Sequence, residues 1–129
     1  MPQVTQRRIT TSDHLLADAV MGLLPGMTAI LLTGAGWIRV LFTATLQNQS
    51  NIAGPVQFEP EIDDAVNPPA MSTDYCDTIV GYGYRRISHE WFYRLGAGQH
   101  CFKMYGQSYF QDTKIIRFTG IMTIWELGF

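Results

Sequence analysis

The stretch Trp37-Ile38-Arg39-Val40-Leu41-Phe42-Thr43-Ala44-Thr45-Leu46 decides the fold. Ile38, Val40, Phe42, Ala44 and Leu46 alternate with Trp37, Arg39, Leu41, Thr43 and Thr45, the period of two that marks a β-strand with two distinct faces. Beyond a loop rich in Asn, Gln, Ser and Gly (47–55), Val56, Phe58 and Ile62 alternate with Gln57, Glu59 and Glu61. Pro60 cannot donate to a ladder, which predicts an edge strand or a bulge there. Residues 63–74 read as the longest linker, centred on Pro68-Pro69. Then Ile87, His89, Trp91, Tyr93 and Leu95 oppose Arg86, Ser88, Glu90, Phe92 and Arg94. The turn Gly96-Ala97-Gly98 leads into His100, Phe102 and Met104, opposed by Cys101, Lys103 and Tyr105. Lys114 to Leu127 reads as one last strand, apolar on both parities.

On the N-terminal side, Thr28 to Thr33 is a continuous apolar run between Gly26 and Gly34, as in a buried strand. Leu15, Leu16, Ala19, Val20, Leu23 and Leu24 fit either a short helix stopped by Pro25-Gly26 or a loop-strand mixture. Residues 1–12 read as a polar N-terminal arm or a first strand, leaving 13–129 as one β-sandwich or barrel domain.

Composition narrows the class. The chain has 129 residues, 47% of them hydrophobic, and only 16% charged, with net charge −2. A soluble domain averages about 25% charged residues, so some surface must be covered by neutral polar groups, by a two-sided apolar sheet or by partner subunits. The charge balance excludes a basic nucleic-acid footprint. Residues 19–38 are uncharged over the length of a membrane span, but Pro25-Gly26 and three further glycines predict two elements with a turn and no span. A final strand apolar on both faces needs cover from another subunit or from the N-terminal segment.

Chemistry-bearing constellations are sparse. His14, His89 and His100 lack partners at metal-ligand spacing, which argues against a cupin-like enzyme, and no cofactor is expected. The pairs Gly34-x-Gly36, Gly81-x-Gly83 and Gly96-x-Gly98 lack the third glycine of a dinucleotide loop, and no serine stands in a nucleophile elbow. Glu59, Glu61, Asp63 and Asp64 read as a solvated strand face before a cation site. Asn48-Gln49-Ser50 matches a glycosylation sequon. Cys76 and Cys101 are either bridged or free. Tyr75, Tyr82, Tyr84, Trp91, Tyr93, Tyr105 and Tyr109, with Arg85, Arg86 and Arg94 nearby, suit a core, a subunit interface or stacking on sugars.

The run Ser88-His89-Glu90-Trp91-Phe92-Tyr93-Arg94-Leu95-Gly96-Ala97-Gly98-Gln99-His100-Cys101-Phe102-Lys103-Met104 resembles the penultimate hairpin of TNF/C1q-like jelly rolls, particularly those of phage virion proteins. Phe118 to Leu127 is similar to the family's last strand, and Trp37 to Leu46 to an earlier core strand. The resemblance spans residues 28–127; Gln99 stands where the family usually has Thr, and Cys101 is untypical. It implies an all-β, antiparallel two-sheet jelly-roll sandwich that assembles as a homotrimer. The implied role is non-enzymatic: a bacteriophage capsid decoration, cement or head-fibre protein, located on the virion and bound to the major capsid protein or another virion protein. A lectin-like or tail-fibre jelly roll binding a glycan or receptor is the alternative. On the first reading Tyr93, Phe102, Ile121, Met122, Ile124 and Trp125 form the subunit interface, and Gln3, Val4, Arg7, Arg8 and Ile9 an attachment arm. On the second, Tyr82, Tyr84 and Trp91 contact the glycan.

Overall fold

The computed structural model describes residues 3–63, 65–66, 75–109 and 112–128, with the backbone alone for 3–6, 65–66 and 75–77. These residues form eleven strands and no α-helix. In chain order they are β1 (Gln3–Ile9), β2 (His14–Leu15), β3 (Gly22–Thr33), β4 (Gly36–Asn48), β5 (Gly54–Ile62) and β6 (Ala65–Val66). There follow β7 (Tyr75–Ile79), β8 (Tyr84–Leu95), β9 (Gly98–Ser108), β10 (Thr113–Ile115) and β11 (Ile121–Glu126). They build two sheets, in which every strand pairing is antiparallel. One runs β1-β11-β4-β8, with β10 and β2 continuing it beside the end of β4; the other runs β3-β9-β5, with β7 and β6 both on the far edge of β5.

β4 is the strand read first from the sequence, and its inner residues Ile38, Val40, Phe42, Ala44 and Leu46 are all buried. One edge pairs with β8 from Gly36 to Gln47. The other pairs with β11 over Ile38 to Thr43 and with β10 over Leu46 to Asn48. Across the sandwich Phe42 meets Phe58 of β5, their ring centroids 5.0 Å apart. Val56, Phe58 and Ile62 supply the facing layer, with Phe102 and Met104 of β9. Gly106 of β9 lies against Phe58: a Cβ there would come within 2.8 Å of the ring, so close approach explains this glycine.

Several expectations change. β5 is an interior strand, and Pro60 occupies the interval between the residues paired with β7 and those paired with β6. The stretch 15–24 is no helix; it passes from β2 through a bridge at Asp18 into β3. β3 is an edge strand, half of whose apolar run faces outward, leaving Ile30 58% and Leu32 80% exposed. The charge-free stretch 19–38 is therefore strand and turn, and no helix among the described residues is long and apolar enough to cross a membrane. Of arm and first strand, the structure shows a strand: β1 pairs beside β11 rather than over it, and Arg8 Nε donates to Thr28 O of β3 at 2.7 Å, tying the two sheets. The last strand is split, with a turn between β10 and β11.

The cysteines are not bridged to each other. Cys76 stands opposite Gln57, and Gln57 opposite Gln107 of β9. Cys101 lies six residues back along β9, roughly 20 Å at ~3.4 Å per residue, whereas a disulfide needs Cα atoms within about 7 Å. Cys101 is a free thiol on the outward side of its sheet, beside Ile30.

Asn48, the first residue of the sequon, is a buried structural cap. Its Nδ2 donates to Ile52 O (2.8 Å) and Val80 O (3.2 Å), and its Oδ1 accepts from Ser50 N (3.0 Å) and Ser50 Oγ (2.9 Å). With every polar atom engaged it has no free amide for a glycan in the folded chain. Asn48→Ala strands two carbonyls and should lower unfolding free energy by about 1–3 kcal/mol. A urea midpoint unchanged from wild type would refute that role.

Candidate functional site

Residues opposite one another in an antiparallel register share a face. On the outer face of β1-β11-β4-β8, Arg39 stands between Trp125 and Phe92, Leu41 between Thr123 and Glu90, and Thr43 between Ile121 and Ser88. Thr45 stands opposite Arg86. The face is half apolar, and its centre is one charged contact. Arg39 Nη2 lies 2.6 Å and Nε 2.7 Å from Glu90 Oε2, while the guanidinium sits 4.6 Å from the centroid of the Trp125 ring. The ion pair and the cation–π contact hold Arg39 flat across the sheet, so it covers the indole without leaving its charge uncompensated.

Two concavities interrupt this face. A groove of about 360 Å³ runs past Arg39, Leu41, Ser88, His89 and Glu90. At the other end lies a recess of about 150 Å³ lined by Thr43, Thr45, Arg86, Phe118, Thr119 and Ile121. The recess exists because the ladder on that edge of β4 is broken. Between β10 and β11 the chain turns away, and Thr119 Oγ1 and Ile116 N replace the missing strand by pairing with Thr45 N (3.1 Å) and Thr45 O (3.0 Å). Phe118 sits in this turn at φ 65°, the left-handed region that bulky residues rarely adopt.

The residues expected from the sequence distribute unevenly over this surface. Ile121 and Trp125 are on the outer face and half-buried. Tyr93, Phe102, Met122 and Ile124 are not: they are buried between the two sheets, and no part of them is left for a neighbouring subunit. Trp91 is likewise fully buried, edge-on to His89, so it cannot stack on a glycan. Tyr82 and Tyr84 remain exposed, at 70% and 65%. Arg7 and Ile9 are exposed on β1 and Arg8 is half-buried, while the side chains of Gln3 and Val4 lie outside the described residues. Of the acidic group, Glu59 is largely buried, Asp63 is in a turn, and Asp64 lies outside the described residues. Among the described residues no three His, Cys, Asp or Glu side chains come together as a metal site.

Sequence reasoning missed Phe118, Arg39 and Glu90. Alternation had placed Arg39 and Glu90 on outward positions, but the register that joins them is not written in either segment. Phe118 looked like one more apolar residue of the last strand, and its left-handed backbone leaves no signature in Arg117-Phe118-Thr119.

A second polar cluster closes the sandwich where β8 turns into β9. His100 Nδ1 lies 2.5 Å from Asp63 Oδ2 and Nε2 lies 2.7 Å from Gly96 O, while Asp63 Oδ1 accepts from Cys101 N at 2.8 Å. Both ring nitrogens face acceptors, an arrangement satisfied only by the imidazolium. The hydrogen bond to Asp63 and that to Gly96 raise the His100 pKa above its ordinary value, against burial. Burial pulls the Asp63 carboxyl upward, but the hydrogen bonds from His100 and Cys101 outweigh it and hold the group below its usual range.

No protein-family model matches the chain, and no curated protein matches it in sequence. What the geometry defines is an antiparallel two-sheet β-sandwich with one half-apolar outer face.

The pH dependence follows from the two shifts. A raised histidine pKa stabilises the folded form fully below the ordinary histidine value of about 6.5, and that contribution is lost as pH rises through the raised value. The lowered Asp63 pKa contributes above the ordinary carboxylate value of about 3.9 and is lost on acidification through the lowered one. Burial lowers the His14 pKa, which works the other way below the ordinary histidine value. His100 is therefore read as a difference: the stability advantage of wild type over His100→Gln should shrink on going from mildly acidic to alkaline buffer. A wild-type slope retained by the variant would remove His100 from the linkage.

Proposed function

We propose that this protein is a non-enzymatic structural component of a bacteriophage virion, a homotrimeric TNF/C1q-like jelly roll that decorates or cements the particle. The observation that carries the reading is the outer face of β1-β11-β4-β8. Leu41, Phe92, Ile121 and Trp125 lie there around the Arg39–Glu90 ion pair, on a sheet face that in a lone antiparallel sandwich would meet water. Aromatic residues and arginine are the types enriched at the centres of protein interfaces.

The strand order supports the jelly-roll part of the proposal. Setting aside the short strands β2, β6 and β10, the first, third, sixth and eighth strands form one sheet and the second, fourth, fifth and seventh the other. Sequence neighbours thus alternate between layers except for the fourth and fifth, which pair with each other, an order that fits two interlocked Greek keys. The virion setting rests on the resemblance of Ser88–Met104 and Phe118–Leu127 to phage members of that family. In that setting the protein acts through buried area: a trimer spanning joints between capsid proteins stabilises the shell by binding its assembled form. Arg7 and Ile9, exposed on the edge strand β1, are the arm residues left free to meet a virion partner.

Native mass spectrometry at micromolar concentration should report three copies of the chain, and a monomer or dimer would overturn the trimer. Leu41→Glu puts a second carboxylate beside Glu90 on the proposed interface, where a neighbouring subunit would have to bury it without a partner. The variant should yield a folded monomer with an unchanged far-ultraviolet strand spectrum. A persisting trimer would move the interface off this face.

A further inference from the structure

We propose that the recess between Arg86 and Phe118 binds a carboxylate-bearing sugar unit. It does not rest on the trimer. The recess begins at Thr43, four residues from Arg39 on β4, or roughly 14 Å along the strand. It shares Ile121 with the face proposed for assembly, while Thr45, Arg86, Phe118 and Thr119 lie beyond it.

The argument starts from a cost. Phe118 holds φ 65° yet is 59% exposed, so neither backbone preference nor burial explains an aromatic residue there. The surrounding turn fixes it: Phe118 N donates to Thr10 O at 2.6 Å, Thr119 N to Ile116 O at 3.1 Å, and Thr119 Oγ1 to Ile116 O at 2.5 Å. A strained, over-determined residue displayed beside a concavity points to function. Irregular breaks in a ladder commonly serve to re-aim a side chain in this way.

The lining then specifies the ligand. The Phe118 ring stands at one wall and offers an apolar face to the C–H side of a sugar. The hydroxyls of Thr43 and Thr45 form the floor and suit sugar hydroxyls. Arg86, directly across β4, is exposed and has no ion-pair partner among the described residues. Arg117 lies 5.8 Å from the Phe118 ring and adds a second positive charge. The nearby carboxylate of Asp13 is already taken, by Lys114 Nζ at 3.0 Å and the Arg117 amide at 2.9 Å, and its pKa is lowered by these bonds. A guanidinium left free above hydroxyls and a ring matches a carboxylate carried on a sugar, which it can grip through two parallel N–H···O bonds. At about 150 Å³ the recess is well below the ~300 Å³ of a pocket for a drug-sized ligand, and so takes one unit of a glycan. Tyr84, two residues before Arg86 on the same side of β8, extends the surface for a following unit.

The test is a titration of the isotope-labelled full chain, followed by amide NMR, with glucuronic acid, N-acetylneuraminic acid, glucose and acetate. One or both acids should shift residues 43–45, 86 and 117–121 saturably in the millimolar range, and whichever responds identifies the sugar class. Arg86→Gln should weaken that response by about tenfold or more, as expected for loss of a charge-assisted pair, with partial retention in Arg86→Lys. Phe118→Gly should also weaken it while melting no lower than wild type, because glycine adopts φ 65° freely. No saturable shift, an equal response to glucose or acetate, or wild-type binding by Arg86→Gln would overturn the proposal.

Discussion

The burial of the inner face of β4 is the constraint on which the rest of the molecule depends. Five alternating residues, Ile38 to Leu46, lose all contact with water, and Phe42 is pinned to Phe58 of the opposite sheet. A fully buried Ile, Val, Phe or Leu side chain contributes roughly 1.5–3 kcal/mol, so this one strand contributes a burial energy comparable in size with the ~5–15 kcal/mol that separate a folded domain from its unfolded chain. Because β4 is bonded on both edges, it also decides where its neighbours lie. β8 takes one edge without interruption, and β11 and β10 share the other. The facing strand β5 repeats the pattern, shared between β7 and β6 on one edge and continuous with β9 on the other.

The shared edge of β4 has a consequence for the surface. Two short strands cannot meet end to end without the chain leaving and re-entering the sheet, and the backbone groups of Thr45 would be orphaned at the join. Thr119 and Ile116 satisfy them. That repair places Phe118 in a backbone region it disfavours, with its ring outside the core. Thus the strain at the recess and the integrity of the central strand are parts of one arrangement. Removing the ring costs the fold little, whereas Thr119 is needed to complete the ladder.

Much of the architecture was legible because period-two alternation survives in β4, β5, β8 and β9, where one face is buried and the other is not. Alternation separates two faces but does not say which one points inward when both are apolar. That is why Met122 and Ile124 were placed on a subunit face and belong to the core, while Ile121 and Trp125 on the other parity remain outside. The same ambiguity misplaced Tyr93, Phe102 and Trp91, whose aromatic character fits an interface or a sugar as well as a core. The run Thr28 to Thr33 misled in the opposite direction, since apolar content carries no information on whether a strand sits at an edge. Residues that act through register, such as Arg39 with Glu90 or His100 with Asp63, are separated by 51 and 37 positions and become visible only when the strands are laid side by side.

The scarcity of charge can now be located. The outward side of the β3-β9-β5 sheet is carried partly by neutral polar groups: Gln107 Nε2 donates to Gln57 Oε1 at 2.8 Å, and Tyr109 OH donates to the same oxygen at 3.0 Å. Such a network satisfies polar side chains on that side of the sheet without net charge, Gln107 itself being buried. The outer face of the β4 sheet is different, because its central charge is spent inside the protein. Arg39 is neutralised by Glu90 and laid over Trp125, which leaves a surface that is half apolar and nearly free of net charge between Ile121 and Phe92. Covering an unpaired arginine would cost more still than covering a paired one, whose desolvation is offset in part by its partner. The Arg39–Glu90 pair thus stands at one end of this face and Arg86, with no ion-pair partner among the described residues, at the other.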